Sequence, residues 1–271
     1  MKEIAILYSG GTDSTCVAVL ACREFEIIHL LTYKRFGIFS VDNATINIPH
    51  LKKRFPTVVF VNSVANIDAL FKHISYESYF YYLRKYGFFT LSTCGLCKLA
   101  MHIQTIVYCL KNNIKYVWDG SNRYSQNGLS SDQMPRIVSE FRNMYTEHGI
   151  TFTNPVFDLK EPSDIGWHDK ANLKNLIPSL ADGGKSDSDM TAGKILFDEK
   201  IFPKRNLKGS RADRRMQARC FQLLLNNIFV YGYCLPVYGE EKYRDITHRF
   251  LKEKIEKSKS IVKDCLKKRC S

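Results

Sequence analysis

The chain has 271 residues, 45% of them hydrophobic and 25% charged, with a net charge of +13, enough apolar matter for one large domain or a main domain with an appendage. No apolar run reaches the length of a membrane span, and no signal-peptide pattern opens the chain. Nine cysteines, odd in number and unevenly spaced, argue against a secreted disulfide framework and for free thiols or metal ligands. The expected compartment is the cytosol.

The apolar run Ile4-Ala5-Ile6-Leu7-Tyr8 predicts a buried strand that ends in Ser9-Gly10-Gly11-Thr12-Asp13-Ser14 and runs into a helix over 15–23. That arrangement is built to hold phosphate. Glycines let the backbone turn tightly and come close to a ligand. A helix start offers unpaired N–H groups and the positive end of its dipole to an anion. Ser9 and Ser14 add hydroxyl donors, and Asp13 is suited to hold a magnesium ion or to fix the loop. The plain alternative is a strand–turn–helix with Ser and Asp as caps, which does not require all six residues in this order.

Further strands are predicted at 27–33, 58–62, 116–119 and 151–154, with helices at 43–54, 67–86, 98–111 and 133–147 between them. Short apolar runs bounded by turn residues fit buried parallel strands. The fold class expected is α/β, a doubly wound parallel sheet over 1–160. Ligands of such sheets bind outside the carboxyl ends of the strands. The Gly-Gly loop, Thr32-Tyr33 and Gly120-Ser121-Asn122 all follow strand ends, so one crevice is expected to gather them. The aromatic stretch 76–89 is read as packing rather than as a base-stacking surface.

Cys94-Gly95-Leu96-Cys97 opens the fourth predicted helix. Two thiols three residues apart at a helix start can point at one site, and the helix dipole favours thiolate. The pair fits half a zinc site, a redox pair, part of an iron–sulfur site, or chance. Cys220, Cys234 and His102 are candidates for further ligands. His102, five residues beyond Cys97, falls off the shared face and reads as an ordinary helix residue. Cys16, Cys22 and Cys109 sit among apolar residues and read as core thiols.

Residues 161–200 read as a loop-rich connection. Gly183-Gly184-Lys185-Ser186 imitates a kinase-type P-loop but lacks its first glycine and its strand. The Asp-Ser-Asp run at 187–189 lacks the glycine and terminal glutamate of an EF-hand. Residues 201–271 form a helical basic region, with helices expected at 211–231 and 240–268. It carries 18 Lys and Arg against 7 Asp and Glu, which points to a polyanionic partner, with RNA the one expected.

The loop Ser9 to Ser14 resembles the PP-loop of the N-type ATP pyrophosphatases. The resemblance implies binding of ATP with Mg2+, transfer of AMP to a substrate oxygen and release of pyrophosphate. Ser9, Gly10, Gly11, Thr12, Asp13 and Ser14 are then expected at the phosphates, Thr32 or Tyr33 beside the adenine, and Gly120 where backbone approaches the nucleotide. A PP-loop, a Cys-x-x-Cys before the fourth strand and one distant cysteine together resemble the tRNA thiolases of the 2-thiocytidine and 2-thiouridine synthetase type. This implies Cys94, Cys97 and Cys220 as ligands of a 4Fe–4S cluster, with Zn2+ as the alternative metal and Cys234 as the reserve third ligand. Asp13, Cys94, Cys97 and Cys220 are the catalytic residues it implies, and tRNA, met through the basic C-terminal region, is the partner. The chain departs from that pattern with Thr12 where the thiolases carry Lys, and with Trp118-Asp119-Gly120-Ser121-Asn122-Arg123 in place of a His-rich segment. The loop also resembles that of 7-cyano-7-deazaguanine synthase, which implies a ligase or amidotransferase acting on a small carboxylate or carbonyl metabolite with a structural metal. A nucleotide-binding module without chemistry is the third reading. The sulfur donor is left open, as is the oligomeric state, with a homodimer among its forms.

Overall fold

The computed structural model describes residues 1–124, 129–160, 191–205, 207, 208 and 210–267. The P-loop imitation at 183–186, the Asp-Ser-Asp run and Cys270 lie outside the described residues.

Five strands form one parallel sheet: β1 (Glu3–Leu7), β2 (Ile27–Lys34), then β4 (Val59–Asn66), β5 (Tyr116–Asp119) and β6 (Thr151–Thr153), in the order β4-β2-β1-β5-β6. Strand order reverses between β1 and β5, which sets the ligand crevice of a doubly wound sheet at their carboxyl ends. The fold is α/β, with a helical C-terminal region. Because β1 is covered on both faces, its residues alternate between two apolar cores. Ile4 and Ile6 face one core with α1 (Thr12–Ala21), and Ala5 and Leu7 face the other. The second core holds the long helix α5 (Thr93–Asn112) and α6 (Pro135–Thr146).

The later part of the chain returns to both cores. Leu196 of α7 (Ala192–Asp198), with Ile201 and Phe202, packs in the α1 core. Tyr243, Phe250 and Ile255 of α10 (Leu235–Lys267), a helix broken at Gly239, pack against α5 and α6.

Two expected helices are interrupted, each for a tertiary reason. The helix expected over 67–86 is divided into α3 (Asp68–Tyr76) and α4 (Tyr79–Tyr86), with Ser78 left-handed at φ 53°. The buried ammonium of Lys254 donates to the carbonyls of Ile74 (2.6 Å) and Glu77 (3.1 Å) at this break. The helix expected over 211–231 is instead α8 (Arg211–Arg215), an extended crossing, the strand β7 (Arg219–Cys220) and α9 (Phe221–Phe229). Backbone bonds to distant partners hold that crossing extended. Ala218 N–H donates to Ser9 O at 3.3 Å, and Cys220 and Arg219 pair antiparallel with Ile38 and Phe39 of β3 (Ile38–Phe39). α5 is long and apolar enough to cross a membrane, contrary to the sequence reading, but most of its apolar window is buried inside the protein. The aromatic stretch is divided: Tyr82 and Phe89 are core residues, whereas Tyr76, Phe80 and Tyr81 are exposed.

Candidate active site

The loop between β1 and α1 lies at the switch point of the sheet. Ser9 and Ser14 brace it: their hydroxyls stand 3.2 Å apart, Ser9 N–H donates to Ser14 Oγ at 3.3 Å, and Ser14 Oγ donates to Gly11 O at 3.2 Å. Gly10 takes φ +79°, and any side chain there would run into Met216 O and Ala44. Its carbonyl accepts from Asn47 Nδ2 at 2.9 Å.

A segment of the C-terminal region covers this loop. Asp213, buried from solvent, accepts with Oδ1 from both the N–H (3.2 Å) and the hydroxyl (2.7 Å) of Thr12. No side chain of the preceding residues caps α1, so a carboxylate two hundred residues away meets its first N–H. Thr12, expected at a phosphate, is thus engaged by an anion of the chain itself. Lys208 Nζ lies 2.7 Å from Asp13 Oδ2, and Gln217 Oε1 approaches Gly11. An open cleft flanked by Asn47, His50, Phe202 and Met216 adjoins the loop.

Two of the expected nucleotide contacts are placed differently. Tyr33 turns into the core, its hydroxyl 2.6 Å from Thr105 Oγ1, and burial pushes its phenol far above the usual range. Thr32 Oγ1 donates back to Tyr8 O at 2.9 Å. Both side chains are buried. Gly120 packs on the start of α1, where an added Cβ would stand 2.9 Å from Ser14 N. The lack of a side chain there seats β5 against the loop.

From Gly120 the site continues to the thiols. Asp119 ends β5 and pairs with Lys98 at 2.9 Å, both nearly out of solvent. Ser121 Oγ donates to the other carboxylate oxygen. Burial pushes the Asp119 carboxyl up, but the Lys98 ammonium and the hydrogen bonds from Ser121 and Lys98 act together to hold the group below the ordinary carboxylate range. Lys98 is raised in turn: burial works against its charge, and Asp119 and then Asp132 overcome it. Lys98 directly follows Cys97 in the chain.

Cys94, Cys97 and Cys220 come together around Arg35, the residue after β2. Arg35 Nε donates to Cys97 Sγ at 2.9 Å, and Nη2 stands 3.8 Å from Cys220 Sγ. Cys94 feels Asp132, Cys220 and Cys97. Burial pushes the Cys94 thiol well above its ordinary value and Cys97 up as well, with Arg35 opposing both. A guanidinium therefore occupies the space between Cys97 and Cys220. Among the described residues, no three His, Cys, Asp or Glu side chains are disposed to hold a metal ion. As the side chains stand, the thiols do not fit the cluster or zinc ion expected of them.

Cys234 is fully buried in the α5 core, where burial pushes its thiol up to about 12. His102 is also fully buried, Nδ1 lying 3.0 Å from Tyr145 OH with its ring against Phe141. Burial, helped by Lys98, drops its pKa to about 3. Cys16 and Cys109 are core thiols.

The sequence reading missed Arg35, Lys98, Asp119, Asp132, Lys208 and Asp213. Asp119 carried a signal, as an acidic residue closing an apolar strand at the switch point, and Lys98 adjoins the cysteine motif. Lys208 and Asp213 carry none, because their partners are nearly two hundred residues away.

The basic charge of α10 is largely spent within the fold. Lys252 pairs with Glu140, Lys257 with Glu77, Lys259 with Glu147, Arg249 with Asp245 and Arg244 with Glu240. Arg211, Arg214, Arg215 and Arg219, on the segment crossing the loop, are exposed.

No protein-family model matches the chain. A stretch of 34 residues is 47% identical to 7-cyano-7-deazaguanine synthase of Gloeobacter violaceus, covering 12% of this chain and 14% of that protein. The chain thus matches only a small part of that relative's length. A crystal structure of a predicted subunit of tRNA methyltransferase from Methanocaldococcus jannaschii aligns with 82% of this chain and 97% of its own, at 17% identity and a TM-score of 0.35.

Proposed function

We propose that this chain is an ATP-dependent, AMP-forming enzyme of the PP-loop class that activates a carbonyl oxygen of a tRNA base for displacement by sulfur. The observation that carries the reading is the continuity of the nucleotide loop with the three thiols. On one side, Ser14 meets Gly120, Asp119 pairs with Lys98, and Cys97 adjoins it. On the other, Ser9 meets Ala218, two residues before Cys220.

A carbonyl oxygen is a poor leaving group, and its attack on the α-phosphorus of ATP, with pyrophosphate leaving, turns it into one. A sulfur nucleophile then displaces AMP at the same carbon. In that scheme Ser9, Gly10, Gly11, Thr12 and Ser14 hold the phosphates. Magnesium would accompany the triphosphate, and Asp13, the acidic side chain of the loop, would hold it. Lys98 and Asp119 form a buried charged wall between loop and thiols, where preorganised charge acts strongly on a developing oxyanion. One of Cys94, Cys97 and Cys220 takes the outer sulfur of a donor persulfide, the donor leaving as a thiol. That sulfur attacks the activated carbon as AMP leaves, and a second of the three thiols then closes a disulfide with the first to release the thiocarbonyl, with no step assigned to a metal at these residues. The exposed arginines of 211–219 flank the loop and suit a phosphate backbone.

Pyrophosphate release from ATP with tRNA added, measured alongside base thiolation by nucleoside mass spectrometry with a persulfide sulfur source and a dithiol reductant, tests the reading. Pyrophosphate release with a small carboxylate and not with tRNA would instead favour the ligase reading. RNA affinity should fall steeply with salt, since phosphate contacts release counterions.

A further inference from the structure

Helix α9 is turned inside out. Phe221, Leu224, Leu225 and Ile228 recur at the spacing of one helical face, and they are 55, 56, 52 and 61% exposed. Asn226, on the other side of the helix from this stripe, is buried, and its Oδ1 has no hydrogen-bond partner. The same holds for Gln222 Oε1 and Asn227 Oδ1 on the same helix. Gln222 lies beside Gly37 and the Arg35 guanidinium, so the amide face looks towards the thiols and the apolar face looks out.

We infer that this face is the contact between two copies of the chain, related by a twofold axis that pairs α9 with its symmetry mate. Three observations point to this occupant. The first is charge. Residues 220–239 contain no Asp, Glu, Lys or Arg, in a chain whose net charge is +13. Two such copies carry a net repulsion that is weakest across a neutral face, and an isologous contact must be complementary to itself. The second is area. The four side chains of the stripe, each more than half exposed, present about 450 Å², most of the apolar share of a homodimer face of roughly 800 Å² per partner. The third is the helix's opposite side. A nucleic acid finds no cation on the stripe, and an interfacial membrane helix needs Lys or Arg on its polar face, where α9 has amides.

The inference does not depend on the nucleotide chemistry, but it bears on the thiols. Cys220 immediately precedes α9 and is only partly buried. A second copy on the apolar face would shield that flank from solvent.

Sedimentation velocity of the full chain over two decades of concentration tests it. A species of twice the chain mass is expected, and Ile228→Glu should raise its dissociation constant roughly a hundredfold or more, since the change occurs twice across the axis. Leu224→Gln should act in the same direction, and Val61→Lys, on the exposed edge strand β4, should not. If a substituted chain fails to fold, hydrogen exchange of the unaltered protein decides: amides of 221–229 should slow as concentration rises. A monomer at every concentration overturns the inference. So does a dimer that Val61→Lys dissociates and Ile228→Glu does not, or flotation of a monomer with phosphatidylserine vesicles.

Discussion

Asp213 places a carboxylate oxygen 2.7 Å from the Thr12 hydroxyl and 3.2 Å from the Thr12 amide, where a helix start would otherwise offer both donors to an anion. The chain thus supplies its own cap to α1, and a phosphate arriving at Thr12 must take that place. Asp213→Ala should cost the nucleotide-free protein about 1 kcal/mol, as loss of a helix cap does. Added ATP and magnesium should then raise its melting temperature by more than they raise that of the unaltered protein. Equal shifts in a paired thermal denaturation would show that phosphate and carboxylate do not compete.

Asp13 is held by Lys208 at 2.7 Å on the rim of the same loop. Asp13→Ala should lower pyrophosphate release by on the order of 100-fold, the scale seen when one preorganised electrostatic contact to a transition state is removed. Its far-ultraviolet circular dichroism should remain unchanged. Full residual release would remove Asp13 from the reaction.

The Lys98–Asp119 pair is a stability element as well as a wall of the site. Asp119→Asn leaves a buried ammonium without its counter-charge, which typically costs about 3–5 kcal/mol. Folding the native carboxyl lowers its affinity for protons. The pair's contribution is therefore complete above the unfolded carboxylate range, near pH 4, and is lost as pH falls further. Denaturant titrations at pH 7 and pH 3 should show the gap between native and variant shrinking at the lower pH.

His102 titrates in a different window. Its pKa falls to about 3 on folding, so its contribution is complete above the unfolded value near 6.5 and declines as pH drops towards 3. The melting temperature should begin to fall below about pH 6.5, before the carboxylates titrate. His102→Phe should flatten that first decline, and an unchanged slope would assign it to another group.

The Arg35 contact makes a prediction about the thiols. Burial raises Cys97, and Arg35 opposes that rise through its charge and its hydrogen bond. Arg35→Leu should slow alkylation of Cys97 by iodoacetamide at pH 8, as read by peptide mass spectrometry, because less thiolate forms. Faster alkylation would mean that Arg35 acts chiefly as a plug.

The local parts of the fold were readable in the sequence. The first strand is a short apolar run directly followed by the Gly-Gly loop, and β2 is apolar apart from His29 and Thr32 before its end at Lys34. The helix pattern failed at 211–231 because an apolar periodicity cannot register that Ala218 bonds to Ser9 and that Cys220 pairs with Ile38. The thiol group was readable as residue types, in Cys94 and Cys97 near each other and Cys220 far off. Arg35 between them was not, because its place depends on where β2 ends relative to α5. Likewise Thr32 and Tyr33 follow the logic of a strand end, yet packing turns one side chain back to Tyr8 and the other to Thr105.

The crossing segment also sets an order of assembly. Thr12 and Asp213 are 201 residues apart, so during synthesis the first turn of α1 leaves the ribosome long before its cap exists. Chains released early would carry every residue of the Ser9–Ser14 loop and still lack the backbone that buttresses Gly10. ATP binding by a series of C-terminal truncations should therefore appear abruptly, once the chain extends past the Ser9-bonded Ala218, and not gradually with length.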